Sequence, residues 1–230
     1  MIKTWLRECD SHATCQTQAS KNEGVNAPTR LLEVGHNIRL VDASSIRSRP
    51  YVALSHCWGP LKPEEKFCTY QENIEVFRRT IPFDDLPKTF QDAVTVTRGI
   101  GISYLWIDSL CIIQNDKEEW KKESAKMQYV FSGAHCTLSV NSARSSLEGF
   151  LTPRVPRTCV PLPISDSRRL YVCPSIDDFH RDVDQSNLHT RGWVLQERAL
   201  SRRFIHYTST QVYWECGAGV QCESLAKFQK

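Results

Sequence analysis

The 230-residue chain reads as an α/β protein: a parallel sheet with helices on both faces, followed by antiparallel hairpins. Three observations carry that reading. Between residues 51 and 140, apolar β-rich runs alternate with helix-period runs, which is the grammar of a parallel sheet with right-handed crossovers. After residue 150 the pattern changes to paired short β-rich runs joined by turn residues, which is hairpin grammar. Apolar residues make up 40% and charged residues 24%, enough to bury a core and too apolar for a disordered chain.

The elements follow in order. Residues 1–50 form an N-terminal extension. Within it, 16–27 (QTQASKNEGVNA) are polar and loop-like, and 29–42 (TRLLEVGHNIRLVD) form a hairpin turning at Gly35 and Asn37. Residues 51–150 make the α/β core. Tyr51 to Ser55 is an apolar strand stopped by Gly59-Pro60. The polar stretch 61–85 includes NIEVFRR, a short helix. A longer helix opens after Leu86-Pro87, where a missing proline N–H has no partner to lose. Phe90, Ala93, Val94 and Thr97 share one face of it, and Gly99 caps its end. Residues 102–113 (ISYLWIDSLCII) read as a strand buried on both faces, with Asp108 near its carboxyl end. Asp116 and Glu119 have the spacing of a capping box, so the next helix starts there. Trp120, Ser124, Met127 and Phe131 form its inner stripe, and Gly133 ends it. HCTLSV (135–140) is the third strand. In 151–223, RTCVPLPI pairs with RLYVC, a helix carries Glu197, and RFIHYTSTQVYWEC folds into a second hairpin. Residues 224–230 are a tail.

Composition also removes function classes. The net charge of +3 is small and the basic residues are scattered, so no polyanion partner is implied. No apolar run is long enough to span a bilayer, and the N-terminus lacks a secretory h-region. The ten cysteines therefore read as reduced thiols in a cytoplasmic protein. There is no phosphate-loop motif. Gly99-Ile-Gly101 follows a helix and precedes a strand, the reverse of the dinucleotide fingerprint. No nucleic-acid-binding motif occurs, so nucleic acid is not an expected partner.

Ligands of open parallel sheets bind beyond the carboxyl ends of the strands. Three segments deliver polar or aromatic groups there: Ser55-His56-Cys57-Trp58, Asp108-Ser109 with Cys111, and Asn141-Ser142. The helix carrying Glu197 completes that rim. The plain alternative is ordinary loop polarity, with Glu197 an exposed helix charge paired to Arg198 or Arg202. Trp193 lies four residues before Glu197, a spacing that shares a helix face. An inward Trp193 would carry Glu197 inward, and a buried carboxylate needs a functional reason. Two other chemistries are open. Cys57 or Cys111 with His56 or His189 would make a Cys-dependent hydrolase. Cys9-x2-His12-x2-Cys15, with Cys216 and Cys222, offers metal-type ligands. No C-x2-C occurs, the spacing fits known zinc sites poorly, and no metal is assigned.

The blocks YVALSHCWG, LPKTFQDAVTVTRGIGISYLWIDSLCIIQNDKEEW and RGWVLQERALS, followed by YWEC, resemble the heterokaryon incompatibility (HET) domain of filamentous fungi. The leading C-x2-H-x2-C and PTRLLEVG resemble the usual approach to that domain, so the likeness spans residues 5 to about 223, with the domain itself placed at 51–223. That family is similar, more distantly, to the Toll/interleukin-1 receptor (TIR) fold, a flavodoxin-like parallel sheet, several of whose members cleave NAD. Their Trp-Cys-x-x-Glu-Leu signature matches Trp193 and Glu197 in spacing, with Val194 for the Cys and Arg198 for the Leu. The resemblance implies a programmed-cell-death effector in non-self recognition. It makes Glu197 the catalytic residue of NAD cleavage, with Ser55, Cys57, Trp58, Asp108 and Trp193 binding substrate. NAD would be the substrate, with no cofactor. Self-association on activation and other incompatibility proteins would supply the partners. The alternative is a non-catalytic death-signalling adaptor that acts by self-assembly.

Overall fold

A computed structural model describes residues 1–19, 28–46, 49–154, 159–165, 168–224 and 227–228. Its centre is a nine-stranded mixed sheet. Four strands run parallel: β3 (Val52–Ser55), β4 (Tyr104–Trp106), β5 (Cys136–Val140) and β8 (Arg203–Tyr207). In space they lie in the order β4-β3-β5-β8. The first strand therefore sits inside, with the second on one side and the third on the other. That is the order of a flavodoxin-like sheet, and its switch point lies at the carboxyl ends of β3 and β5.

Antiparallel strands extend both edges. Strands β1 (Arg30–Val34) and β2 (Ile38–Asp42) form the hairpin that the Gly35/Asn37 turn predicts, and β1 joins it to β4. On the other edge, β9 (Val212–Cys216) pairs with β8, β10 (Gly219–Cys222) with β9, and β11 (Lys227–Phe228) with β10. Part of the expected tail is thus an edge strand. The hairpin β6 (Val160–Ser165) and β7 (Arg168–Val172) forms a separate two-stranded sheet.

Strand alternation sorts side chains into two cores. One face buries Val52, Leu54, Leu105, Leu138, Ile205 and Trp214 against α4 (Lys88–Ile100) and α1 (Ile2–Asp10). The other buries Ala53, Tyr104 and Trp106 against Val130 and Phe131 of α6 (Lys117–Gly133), with Leu200 of α7 (Gly192–Leu200) beside them. The short helices α2 (Ala13–Ala19), α3 (Ile74–Arg79) and α5 (Asp108–Cys111) fill connections.

Several expectations change. The apolar run 102–113 is not one strand: β4 ends at Trp106, and the Asp108 carboxylate accepts the Ser109 N–H at 2.7 Å to open the helical turn α5. An apolar run buried on all sides fits either state, so its pattern did not decide. Helix α4 runs through Gly99 and closes at Gly101, whose φ of 91° suits glycine. In α6 the inward residues are Glu123, Val130 and Phe131, while Trp120 is 47% exposed. Glu123 tolerates its inward place because Lys126 donates to it at 2.9 Å, together with Thr29. Asp116 caps α6 by accepting the Glu118 and Glu119 N–H groups. Glu119 does not close the box; its carboxylate accepts the Ile113 N–H and pairs with Arg30. Of the loop expected at 16–27, residues 16–19 belong instead to helix α2; residues 20–27 lie outside the described residues. Cys159 and Cys173 are disulfide-bonded rather than reduced, whereas the other eight cysteines form no disulfide among the described residues and are buried.

Candidate functional site

On the sheet face toward α7, the alternation of β3, β5 and β8 places polar residues inward. Ser55 is in register with Ser139, and Ser139 with His206, so three buried polar side chains cross adjacent strands in one row. Helix α7 lies over this row. Helical side chains lean toward their helix N-terminus. Glu197 therefore reaches back toward the carboxyl edge of the strands, where Ser55 Oγ donates to its Oε2. At the start of α7, the Arg191 guanidinium donates to the His56 carbonyl and so ties the helix to the end of β3.

Glu197 is 5% exposed. Burial pushes its carboxyl up to about 7, against the Ser55 hydrogen bond and the Arg191 charge, which favour the anion; Asp108 adds repulsion. The carboxyl thus stands half protonated near neutrality, where an ordinary glutamate would be fully ionised.

The neighbouring rim is built from the expected segments. Trp58 Nε1 donates to Asp108 Oδ2 at 2.9 Å, and the Lys66 ammonium lies 5.6 Å from the Trp58 ring centre. Ser139 donates to Asn141 Oδ1 at 3.0 Å, and Asn141 Nδ2 donates to Ser186 at 2.8 Å, which pins the segment before α7 to the end of β5. Ser109 Oγ and Ser142 Oγ, along this edge, are buried without a hydrogen-bond partner among the described residues. Buried polar atoms are seldom left unpaired in a finished interior.

The sequence reading erred on Trp193. It is 50% exposed, and Val194, with none of its surface exposed, is the residue that faces inward with Glu197. The burial of Glu197 follows a spacing of three, not four. Cys57 packs with Leu188 and Val194, and burial raises its thiol; the same cause pushes Cys111 up to about 12. His56 packs edge-on to Phe90, on the opposite sheet face. Among the described hydrogen bonds, neither thiol has an imidazole partner, so nothing there activates a cysteine nucleophile.

Arg198 does not pair with Glu197. It binds Glu215 at 2.8 Å and Asp184 at 2.6 Å, and His206 Nε2 approaches the same Glu215 oxygen at 3.0 Å. Burial pushes the His206 imidazole below its usual range, against the Glu215 hydrogen bond and charge, which favour its protonated form. Burial alone would raise Glu215, but the His206 and Arg198 hydrogen bonds outweigh it and hold the carboxyl well below its usual range. A cavity of about 310 Å³ adjoins this network, walled in part by Leu195, Arg198, Arg202 and Glu215; Glu197 is not in its wall. Ser139, Arg191, His206 and Glu215 were missed in the sequence. For Ser139, His206 and Glu215 the available signal was a polar residue at an inward position of an otherwise apolar strand; Arg191, at the start of α7, carried no such signal. Cys9, His12 and Cys15 meet Cys216 at the far edge of the sheet, whereas Cys222 contacts Asp177 and Ser224.

A family model described as "Heterokaryon incompatibility protein (HET)" matches residues 51–197. Neither the curated proteins nor the solved structures contain a match to the chain. Glu197 is the last residue of the matched span.

Proposed function

The chain belongs to the heterokaryon incompatibility (HET) family, which supports a role in fungal incompatibility and its cell death, and from that premise we propose that it cleaves NAD at the nicotinamide–ribose bond through Glu197. The observation that carries this reading is the Glu197 carboxyl, buried at the sheet's switch point and held by Ser55. Heterolysis gives the bonding pair to nicotinamide, which departs neutral without needing a proton. The ribose is left cation-like at its anomeric carbon. The ionised Glu197 stabilises that charge, and water then adds to the carbon and releases one proton. Ser55 fixes the carboxylate rotamer. Asp108 and Trp58 position ribose and a flat ring. Cys57, next to Trp58, packs with Leu188 and Val194. Trp193, exposed on α7, is available to cap a bound ring. The positive charge of the bound pyridinium favours ionisation of Glu197, which offsets its raised pKa.

The test is to incubate concentrated purified protein with NAD and follow free nicotinamide. Glu197→Gln should abolish release while melting as a folded protein. Unchanged release would remove Glu197 from the mechanism. A cytoplasmic location and activation by self-association complete the proposal; no described helix is long and apolar enough to cross a membrane.

A second reading, the self-assembling adaptor, has one observation in its favour. The β6–β7 hairpin exposes Val160, Leu162, Leu170 and Val172 on one face, with Ile164 and Tyr171 also exposed. In that case Glu197→Gln would leave killing in hyphae intact.

A further inference from the structure

Cys9 lies in the last turn of α1, His12 sits in the break between α1 and α2, and Cys15 lies in α2. Because the chain turns at Ser11–His12, both thiols and the imidazole face one side. There they meet Cys216, the last residue of β9, which is about 200 positions away in sequence. The four ligand atoms lie within 4.8 Å of one another. His12 Nδ1 is 3.9 Å from Cys15 Sγ and 3.7 Å from Cys216 Sγ. A tetrahedral zinc, with Zn–S of about 2.3 Å and Zn–N of about 2.0 Å, spaces its ligand atoms roughly 3.5–3.8 Å apart. Buried thiols packed only as small apolar groups have no need to converge on one imidazole nitrogen.

The surroundings fit a metal as well. Three thiolates and a divalent cation leave a charge of −1, which a buried site must offset. Arg203 supplies the offset: its side chain is 2% exposed, and its Nε lies 3.3 Å from Cys9 Sγ. The Ala218 N–H points at Cys216 Sγ from 3.5 Å. Gly217 keeps this turn bare where a Cβ would stand 3.4 Å from Cys15 Sγ.

We propose that Cys9, His12, Cys15 and Cys216 bind one structural zinc ion that clamps the N-terminal helices to the end of β9. The set has four protein ligands and leaves no open coordination position, so its role is structural. Binding releases the protons of the thiols that ionise. The clip closes a loop of some 200 residues, the situation in which a cross-link constrains the unfolded chain most.

The test is elemental analysis of the full chain purified under reducing conditions, with zinc expected at about one equivalent per chain. Cobalt added to the reduced, chelator-stripped chain should give the intense visible bands of tetrahedral coordination and a thiolate charge-transfer band. Cys216→Ala should abolish both. His12→Cys, which keeps four ligands and controls for misfolding, should retain them. Absence of zinc together with a colourless or octahedral cobalt spectrum would overturn the proposal. So would a Cys9–Cys216 disulfide in chain purified without reductant or chelator.

Discussion

Glu197 has its carboxyl raised to about 7 from an ordinary 4.5, chiefly by burial. The fold therefore prefers the neutral acid. Its stabilising contribution is complete below 4.5 and is lost as pH rises through about 7. By about 1.4 kcal/mol per pKa unit, ionising it inside the fold costs up to about 3 kcal/mol. Glu197→Gln should consequently melt higher than the parent at mildly alkaline pH, with the difference shrinking in acid. Thermal melts of both proteins on either side of neutrality check this, and a pH-independent difference would contradict it. Glu215 behaves oppositely. Its depressed carboxyl gives stability above the ordinary glutamate range that is lost as pH falls. Replacing its partner in Arg198→Met leaves a buried carboxylate short of a cation and should cost about 3–5 kcal/mol in a denaturant melt. At this scale the sequence was half legible. The inward placement of Glu197 and the nearness of Ser55, Trp58 and Asp108 were readable from strand ends and helix spacing. The agent was not, because Val194 rather than Trp193 turns inward and Arg198 is claimed by Glu215. Those choices depend on partners from other strands.

At the scale of elements, the site rests on the turn after β3. Gly59 has φ of 85°, and a Cβ there would stand 2.4 Å from the Ser145 Cβ. Gly59→Ala should destabilise by at least about 2 kcal/mol, since backbone strain and overlap add. It should also displace Trp58 from Asp108, visible as a change in tryptophan fluorescence; a wild-type melt and spectrum would contradict this. Hairpins were legible because glycine and asparagine mark the turn of β1–β2, and the helices α4, α6 and α7 because their apolar spacing and caps were clear. The split of 102–113 into β4 and α5 was not, because the pattern is apolar throughout. The rotation of α6 was hidden because a buried glutamate, Glu123, looks like a solvent residue until Thr29 and Lys126 are seen beside it.

At the scale of the whole molecule, nine strands of the described residues share one sheet while β6–β7 stands apart with its disulfide. Reducing Cys159–Cys173 should leave the global melting temperature unchanged and speed hydrogen exchange only in the hairpin. A fall in the global transition would mean the hairpin is part of the cooperative unit. The parallel core was readable from strand–helix alternation. The hairpins and Cys216 as a partner for Cys9, His12 and Cys15 were readable too, but the attachment of the hairpins to the two edges of the parallel sheet and the contact of Cys222 with Asp177 and Ser224 were not, since distant pairings leave no local spacing to read. The central claim, that one sheltered carboxylate at the switch point breaks the nicotinamide–ribose bond, is tested most directly by the pH profile of nicotinamide release from NAD. Release by the concentrated parent should rise through an apparent pKa near or below 7 and be absent at every pH in Glu197→Gln. Equal release from both proteins, or none from the folded parent at any concentration, would contradict it.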